Sequence, residues 1–189
     1  IPRVLVGFLV GAALSVSGTV MQSVLQNPLA SSYTLGVSSG AALGAFIVIT
    51  TGISFAGVFT LPLMGFLFGF GTIILVIFLA RAMDKTLDNQ TVILIGIVLS
   101  LFFNAILTFI TALNRDGVQR LILWQMGSLV DRKWTHVAIL LPIVVLCILI
   151  LLRYLREMDI MTFGDSSSQA IGVNVPVVKW ILLIVSSIL

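Results

Sequence analysis

Residues Gln22–Ala45 read QSVLQNPLASSYTLGVSSGAALGA and separate two apolar runs without a single charged side chain. The pair Asn27-Pro28 breaks a helix there, because proline lacks an N–H donor and biases the preceding residue away from helical backbone. Non-helical backbone at membrane depth is tolerated only where protein or a water-filled cavity satisfies its polar groups. The stretch therefore predicts a segment that lines a pathway through a membrane. A plain turn at the membrane surface is the alternative, since these residue types favour turns.

The composition is that of an integral membrane protein. The 189 residues are 59% hydrophobic and only 9% charged, whereas soluble domains carry about 25% charged residues. The mean hydropathy is +1.22. The net charge of +3 is spread over the connections between apolar runs, without a basic run interleaved with aromatic residues. This pattern is typical of membrane loops and gives no indication of a nucleic-acid partner.

Apolar stretches of about the length that crosses a bilayer recur along the chain. We expect an all-α, polytopic transmembrane bundle, a single domain over residues 1–189 that is incomplete at both ends. A semi-apolar piece, Val118–Met126, is too short to cross and is predicted to lie at the interface or to re-enter. The predicted spans are Val4–Leu25, Leu35–Thr51, Val58–Ala80, Thr91–Leu113 and Thr135–Leu152, with a sixth that begins at Val177.

The distribution of Lys and Arg does not predict which ends of these spans face the cytoplasm. The basic residues divide equally between the two sides, so the excess of Lys and Arg that marks a cytoplasmic side is missing. One side carries Arg81, Lys85, Arg153, Arg156 and Lys179, and the other carries Arg3, Arg115, Arg120, Arg132 and Lys133.

Glycines recur every four residues on several predicted spans. Gly36, Gly40 and Gly44 fall on one face of the second span. Small residues at this spacing let helix backbones approach closely, so these three are predicted to be helix-packing residues. The same spacing at Gly7 and Gly11 on the first span fits generic helix packing.

The polar connection 158–179, MDIMTFGDSSSQAIGVNVPVVK, is predicted to be an ordered module with a short helix. Ser166 and Gln169 match a capping box, Gly172 is placed to end the helix, and Pro176 suits the first turn of the next span. A short capped helix between two spans is a docking surface for a soluble partner. A structured loop without partners is the alternative.

Groups that could carry chemistry are scarce in this sequence. It has no paired carboxylates, nucleophile–base pair, HExxH or P-loop, so we expect no catalysis by this chain. Cys147 is the only cysteine, and no Cys/His cluster predicts a metal site. The lone His136 lies near a span boundary, which favours an interfacial or packing role. Acidic residues lie only in connections, which argues against a proton-coupled carrier.

These motifs resemble the signature of the FecCD family of ABC importer permeases. The stretch GAALSVSGTVMQSVLQNPLASSYTLGVSSGAALGA carries the resemblance most specifically, and Trp124–Ser128 and Met158–Val173 follow in the same order. Such permeases take up iron–siderophore complexes, haem and cobalamin, and their chains usually have ten spans. The resemblance runs from the second span to the start of the seventh, and it implies a permease subunit of a type II importer.

The resemblance also implies a sidedness and a set of functional residues. It implies that the helix break and the connections 81–90 and 153–174 face the cytoplasm. It implies that 158–175 is a coupling-helix segment that rests on an ATPase subunit, and that Arg3 docks a substrate-binding protein, with an interfacial anchor as the bland alternative for Arg3. The implied cytoplasmic gate comprises Asn27, Pro28, Leu29, Asn89 and Gln90, and the implied coupling residues are Phe163, Gly164, Asp165, Gln169, Ala170, Gly172 and Val173.

The implied assembly lies in the cytoplasmic membrane of a bacterium or archaeon. It contains a second permease copy, in a homodimer or a heterodimer, together with an ABC ATPase, an extracytoplasmic substrate-binding protein and membrane lipid. No cofactor is expected on this chain, since ATP and Mg would be bound by the ATPase. Iron–siderophore is the expected cargo, with haem or cobalamin as alternatives. Two other classes stay open: an ion-coupled secondary transporter with its substrate site at broken helices, and a structural or assembly membrane protein.

Overall fold

The computed structural model describes the backbone of residues 1–189 and every side chain except those of Val58, Arg115 and Asp116. Arg115, which enters the balance of basic residues, thus lies outside the described side chains, as does Val58 at the start of the predicted third span. A 3-10 turn at Gly57–Phe59 precedes the third helix. The helices are α1 (Pro2–Val24), α2 (Val37–Thr51), α3 (Thr60–Met83), α4 (Asn89–Leu113), α5 (Arg115–Met126), α6 (Trp134–Arg153), α7 (Leu155–Met161), α8 (Asp165–Ala170) and α9 (Val175–Ile188).

Four of the helices in the described chain, α1, α3, α4 and α6, are long and apolar enough to cross a membrane. The helices α2 and α9 are apolar but shorter, with 15 and 14 residues. Each predicted span corresponds to a helix whose ends lie within three residues of the predicted ones. The expected all-α, polytopic fold is thereby confirmed.

Glycines allow α2 to pack directly on α3. A Cβ atom on Gly44 would lie 2.6 Å from the carbonyl oxygen of Met64. One on Gly40 would lie 3.1 Å from the carbonyl oxygen of Phe68, in space that the Thr72 hydroxyl already fills. Backbones come this close only where no side chain stands between them. Any larger residue at Gly40 or Gly44 would therefore push the two helices apart.

Gly36 lies in a different place from the one that the four-residue spacing predicts. It is the N-cap of α2 and not part of its helical face, and its φ of 80° belongs to the left-handed region that favours glycine. It also faces α4 and not α3, since a Cβ on Gly36 would lie 3.2 Å from the Gly96 carbonyl oxygen. Gly36 therefore allows the end of the helix break to pack closely against α4.

One end of the bundle gathers four segments around a common apolar core. These are the break after α1, the turn before α4, the helix α7 and the start of α9. Removing apolar surface from water stabilises a folded structure by about 25 cal/mol per Å². A shared core therefore holds these segments in place relative to each other. The core residues at this end are Leu25, Ala30, Leu35, Leu87, Val92, Met158, Met161, Val175 and Val178.

The helices α1 and α9 lie side by side although they are distant in sequence. The buried Ser17 hydroxyl of α1 donates a hydrogen bond to the Ser186 carbonyl oxygen of α9, at 2.5 Å. A hydrogen bond between helices of this kind satisfies a polar group that lipid cannot satisfy. The contact closes the bundle between its two most distant helices in the described chain.

The semi-apolar piece predicted at Val118–Met126 forms most of α5. Leu121 is buried in a cluster with Phe46 of α2 and Leu107 of α4. The Trp124 ring lies against Gly65 of α3, 3.1 Å from where a Cβ would stand. The piece therefore packs across the α2–α3–α4 surface through its apolar residues.

The connection after α6 folds into two short helices, α7 and α8. The predicted capping box is wrong: Gly164 is the N-cap of α8 and Ser166 is already its second residue, without a side-chain cap. Gly164 has a φ of 100°, which serine rarely adopts, so glycine starts the helix instead.

The predicted end of α8 is confirmed. Gly172 has a φ of 97°, and its N–H donates to the Gln169 carbonyl while the Val173 N–H donates to the Ser168 carbonyl, both at 3.0 Å. This pair of bonds is the Schellman motif, which satisfies the last carbonyls of a helix. Pro176 is likewise found in the first turn of α9, as predicted.

Candidate gate and coupling site

Pro28 would allow α1 to continue to Gln26, but the helix ends two residues before that. The helix α1 ends at Val24, and Gln26 adopts left-handed backbone with a φ of 49°. The Asn27 carboxamide oxygen accepts a hydrogen bond from the Leu29 N–H at 2.9 Å, which forms an Asx-turn over the proline. The chain therefore reverses direction through local side-chain bonds.

Hydroxyl groups satisfy the backbone in the rest of the break. The Ser31 N–H donates to the Thr34 hydroxyl oxygen at 2.9 Å, and the Thr34 N–H donates to the Ser31 hydroxyl oxygen at 3.2 Å. The Ser32 hydroxyl lies 3.4 Å from that of Ser17 on α1. The Ser31 and Thr34 hydroxyls thus serve backbone groups that have no helical partner.

A side-chain hydrogen bond ties the break to α7. The Gln26 carboxamide nitrogen donates to the Met161 carbonyl oxygen. Leu25 and Met161 are both buried in the shared core beside it. By contrast, Pro28 is exposed and Leu29 is 78% exposed. The anchored part of the break thus presents Pro28 and Leu29 outward.

The second part of the predicted gate, Asn89 and Gln90, directly follows the turn between α3 and α4. Asp84 ends α3, and it accepts hydrogen bonds from the Thr86 hydroxyl at 2.6 Å and the Thr86 N–H at 2.9 Å. These bonds, that of the hydroxyl above all, lower the pKa of Asp84 from its ordinary value. Asp88 is the N-cap of α4 and accepts from the N–H groups of Gln90 and Thr91, at 3.0 and 3.3 Å. The side chains of Asp84 and Asp88 therefore hold the shape of this turn.

Asn89 and Gln90 follow this cap at the start of α4. Gln90 is exposed, whereas the Oδ1 atom of Asn89 is buried and lacks a hydrogen-bond partner within the described part of the chain. The break reaches the same helix through Leu35, whose α-carbon would lie 2.8 Å from a Cβ on Gly96. The structure thus brings the break against α4, but among the described residues no hydrogen bond joins Asn27 to Asn89 or Gln90.

The predicted coupling residues lie in α8 and directly before and after it. Phe163 is 77% exposed just before the helix, and Ile171 is 68% exposed just after it. The Ser168 hydroxyl is buried and lies within 3.0 Å of the Ile160 carbonyl oxygen and 2.7 Å of that of Gly164. This fixes α8 on α7. Gln169, Ala170 and Gly172 are exposed, and Val173 is half-buried.

Asp165 forms an ion pair with Lys179 of α9. The Lys179 side chain is completely buried, and its ammonium group also donates to the Leu87 carbonyl oxygen at 3.1 Å. This role of Lys179 was not predicted from the sequence, where the residue counted only among the basic residues that could orient the spans. A signal was present, since an isolated Lys inside an apolar helix is expected to find a partner.

A polar cavity of about 370 Å³ lies between α2, α4 and α5. Its lining is uncharged and consists mostly of small or amide side chains, which matches the neutral pathway that the sequence predicts. The lining residues are Tyr33, Ser38, Ser39, Ala41, Ala42, Asn104, Trp124 and Gln125.

Arg3 lies at the opposite end of α1 from the break. The helix has 23 residues, so the two ends are about 35 Å apart at 1.5 Å per residue. Arg3 is exposed. Within the described residues, no group of three or more His, Cys, Asp or Glu side chains is arranged to hold a metal ion.

Comparisons with known proteins place this architecture in a family. The model of the FecCD transport family matches residues 1–189. The chain is 37% identical to the uncharacterized ABC transporter permease protein YvrB of Bacillus subtilis, over 100% of this chain and 54% of that protein. It is 34% identical to the Fe(3+) dicitrate transport system permease protein FecD of Escherichia coli, over 97% and 57%. Further relatives are named as permease proteins of hemin, cobalamin and molybdate import systems.

A solved structure has the same fold. It is a metal-chelate type ABC transporter in an inward-facing conformation, 31% identical, with a TM-score of 0.84 over 99% of this chain and 59% of the other. The chain spans about half the length of the curated relatives that it matches. The family and the four spans together assign it to the cytoplasmic membrane as a multi-pass protein. Because the family model matches the chain from its first residue to its last, and relatives match it at 34% to 37% identity, the chain belongs to the FecCD transport family.

Proposed function

We propose that the protein containing this chain is the permease subunit of an ABC importer that moves iron–siderophore complexes across the cytoplasmic membrane. One observation carries the proposal: Phe163 and Ile171, which flank α8, are exposed, while α8 itself is fixed to α7 and so to the core that also holds the helix break. An exposed apolar patch on an otherwise anchored element is typical of a docking surface. In this proposal the occupant is the ATPase subunit.

The gate in this proposal consists of Asn27, Pro28 and Leu29 with Asn89 and Gln90. The exposed Leu29 supports it, because an apolar side chain that this chain leaves uncovered beside the break is free to meet another surface. The ATPase would move α8, and the segments that share its core would move with it. Rigid-body motion of packed helices would then open or close the pathway.

The chain itself would catalyse nothing and would bind no cofactor. ATP and Mg would be held by the ATPase, and a second permease copy, identical or homologous, would complete the pathway. Residues 158–175 would form the coupling segment. Arg3, exposed at the other end of α1, would pair with an acidic residue of the substrate-binding protein. Lipid would cover the remaining apolar helix faces.

Haem and cobalamin are the alternative cargoes. The names of relatives support each of them as well as iron chelates, and one relative is named for molybdate import. The neutral cavity beside α2 does not select one of them. The chemistry of the cargo is therefore the first thing to measure.

The test is uptake by the full-length protein, reconstituted in vesicles with its ATPase and its substrate-binding protein. Ferric hydroxamate, ferric citrate, hemin and cobalamin are offered in parallel, with ATP or a non-hydrolysable analogue inside. We expect ATP-dependent uptake of an iron–siderophore complex that persists when ionophores collapse all ion gradients. ATP-dependent uptake of hemin or cobalamin instead would change the proposed cargo but would still identify an ABC importer permease.

Uptake that needs an ion gradient and no ATPase would identify a secondary transporter and overturn the proposal. No ATP-dependent movement of any of these cargoes would favour a structural or assembly role. Arg3→Glu is a further check on sidedness: we expect weaker binding of the substrate-binding protein and unchanged binding of the ATPase.

A further inference from the structure

A buried ammonium group connects three elements at the core end of the bundle. Lys179 is the fifth residue of α9, and its side chain is completely buried. It pairs with Asp165, the first residue of α8, and it donates to the carbonyl oxygen of Leu87 in the turn before α4. One side chain therefore contacts both the proposed coupling helix and the turn that leads into Asn89 and Gln90.

Stability alone does not account for this lysine. A buried charge is tolerated only when it is paired and hydrogen-bonded. An apolar side chain of similar volume in place of a buried ion pair is often as stable or more so. The surroundings of Lys179 are already apolar, since Val175, Val178, Leu182 and Leu183 of the same helix are buried in the core. What the charge adds is a directed connection between two particular groups.

The backbone at Leu87 shows how specific that connection is. Leu87 has a φ of 54°, in the left-handed region that a bulky residue rarely adopts. Such a conformation persists only when the surroundings hold it in place. Here the buried Leu87 side chain and the bond from Lys179 to its carbonyl oxygen do so. Leu87 directly precedes Asp88, the cap that sets the start of α4.

We propose that Lys179 is a positioning residue that makes α8 and the turn 84–88 move as one body. Displacement of α8 through Asp165 is carried by the ammonium group to the Leu87 carbonyl, and from there to Asn89 and Gln90 at the start of α4. The inference rests on the proposed function for its consequence in transport. The mechanical connection itself can be tested without transport.

The transport test compares Lys179→Met, Asp165→Asn and the double variant in the full-length protein with its ATPase and binding protein. Methionine is an unbranched apolar side chain, one heavy atom shorter than lysine and without its charge. We expect the double variant to fold and to melt above either single variant, because no buried charge is left unpaired, although the Leu87 carbonyl oxygen loses its donor. We also expect its uptake per ATP hydrolysed to fall about tenfold, within the usual range of coupling between sites. Lys85→Met, which removes an exposed lysine of the same turn, should leave the ratio unchanged.

The double variant separates positioning from a merely structural ion pair. If the pair only stabilised the fold, removal of both partners would restore uptake per ATP along with the melting temperature. That result, with a transporting wild type, would overturn the inference and leave the proposed function intact. Loss of uptake by the wild type itself would count against the proposed function and not against the inference.

A distance measurement tests the connection directly. Spin labels on Met83 and Ser167, both exposed, report the separation of the turn from α8 in the full-length protein, with Cys147 and any other cysteine replaced. We expect one narrow distance distribution in the wild type and in Lys85→Met, and a clearly broader one in the Lys179→Met/Asp165→Asn variant. Equal widths in all three proteins would refute the proposal whether or not transport is observed.

Discussion

Gly44 of α2 lies so close to Met64 of α3 that a single added methyl group would come within 2.6 Å of the Met64 carbonyl oxygen. The neighbouring Phe68 ring leaves no more room, at 2.7 Å from the same point. Backbone atoms cannot yield as the end of a flexible side chain can. The α2–α3 pair is therefore the least tolerant packing surface among the glycines described.

Gly44→Ala should destabilise the protein by about 2 kcal/mol, because overpacking in a rigid contact typically has this effect. Gly11→Ala is the matched control, since nothing lies within 4 Å of a Cβ there, and it should be neutral or slightly stabilising in a helix. Thermal unfolding of the full-length protein in detergent measures both. Equal melting temperatures for the two variants would contradict the packing described here.

Asp88→Ala should lower stability by about 1 kcal/mol, the usual effect of losing an N-cap. The carboxylate accepts from two N–H groups at the start of α4, and alanine offers neither an acceptor nor a substitute. Asp88→Ser should recover most of the loss. Asp159→Ala, an exposed aspartate of α7, controls for the change in charge, and the same thermal assay applies.

Gln26→Leu should loosen the contact between the break and α7. The substitution keeps the bulk of the side chain but removes the bond to the Met161 carbonyl, which contributes about 1 kcal/mol. We expect faster amide hydrogen exchange in residues 155–163 of the variant. Gln22→Leu, an exposed glutamine of α1, should exchange there at the wild-type rate. Unchanged exchange in both would mean that the break and α7 are held by apolar packing alone.

Phe163→Ala and Ile171→Ala should weaken binding of the ATPase subunit by at least about tenfold each, as loss of an apolar anchor at an interface does. Both side chains are mostly exposed in this chain, so the melting temperature of the permease alone should not change. Phe8→Ala, a similarly exposed phenylalanine of α1, should leave ATPase binding intact. Affinity is measured by titration of the purified ATPase onto the permease in nanodiscs.

Hydropathy and local capping chemistry predicted much of this fold, because both depend on neighbours in sequence. The spans follow from apolar length, and the end of α8 follows from Gly172, where only glycine adopts the required backbone easily. The start of α8 was assigned to Ser166 because a capping box is visible as a pattern. Gly164 provides the start instead, through a φ that no sequence pattern displays.

Contacts between distant residues were the part that the sequence did not reveal. The four-residue glycine spacing is the same on α1 and α2, yet Gly11 faces open space while Gly40 and Gly44 meet α3. The spacing indicates which face of a helix carries small side chains, but it does not indicate which element packs against that face. The apolar surroundings of Lys179 in the sequence indicate that it needs a partner, but they do not show that the partners are Asp165 and the Leu87 carbonyl. The gate and docking roles stay predictions, since each depends on surfaces outside this chain.

The hydrogen bond from Ser17 to the Ser186 carbonyl joins residues 169 positions apart, and this has a consequence for biogenesis. At 5 to 20 residues per second, a ribosome needs roughly 10 to 30 s to make the chain between them. Throughout that interval α1 is without α9, its neighbour in the folded structure. Until α9 is made, the Ser17 hydroxyl needs another acceptor, such as a carbonyl oxygen one turn earlier in α1, which is the bond that the neighbouring Thr19 hydroxyl makes to the Ser15 carbonyl oxygen.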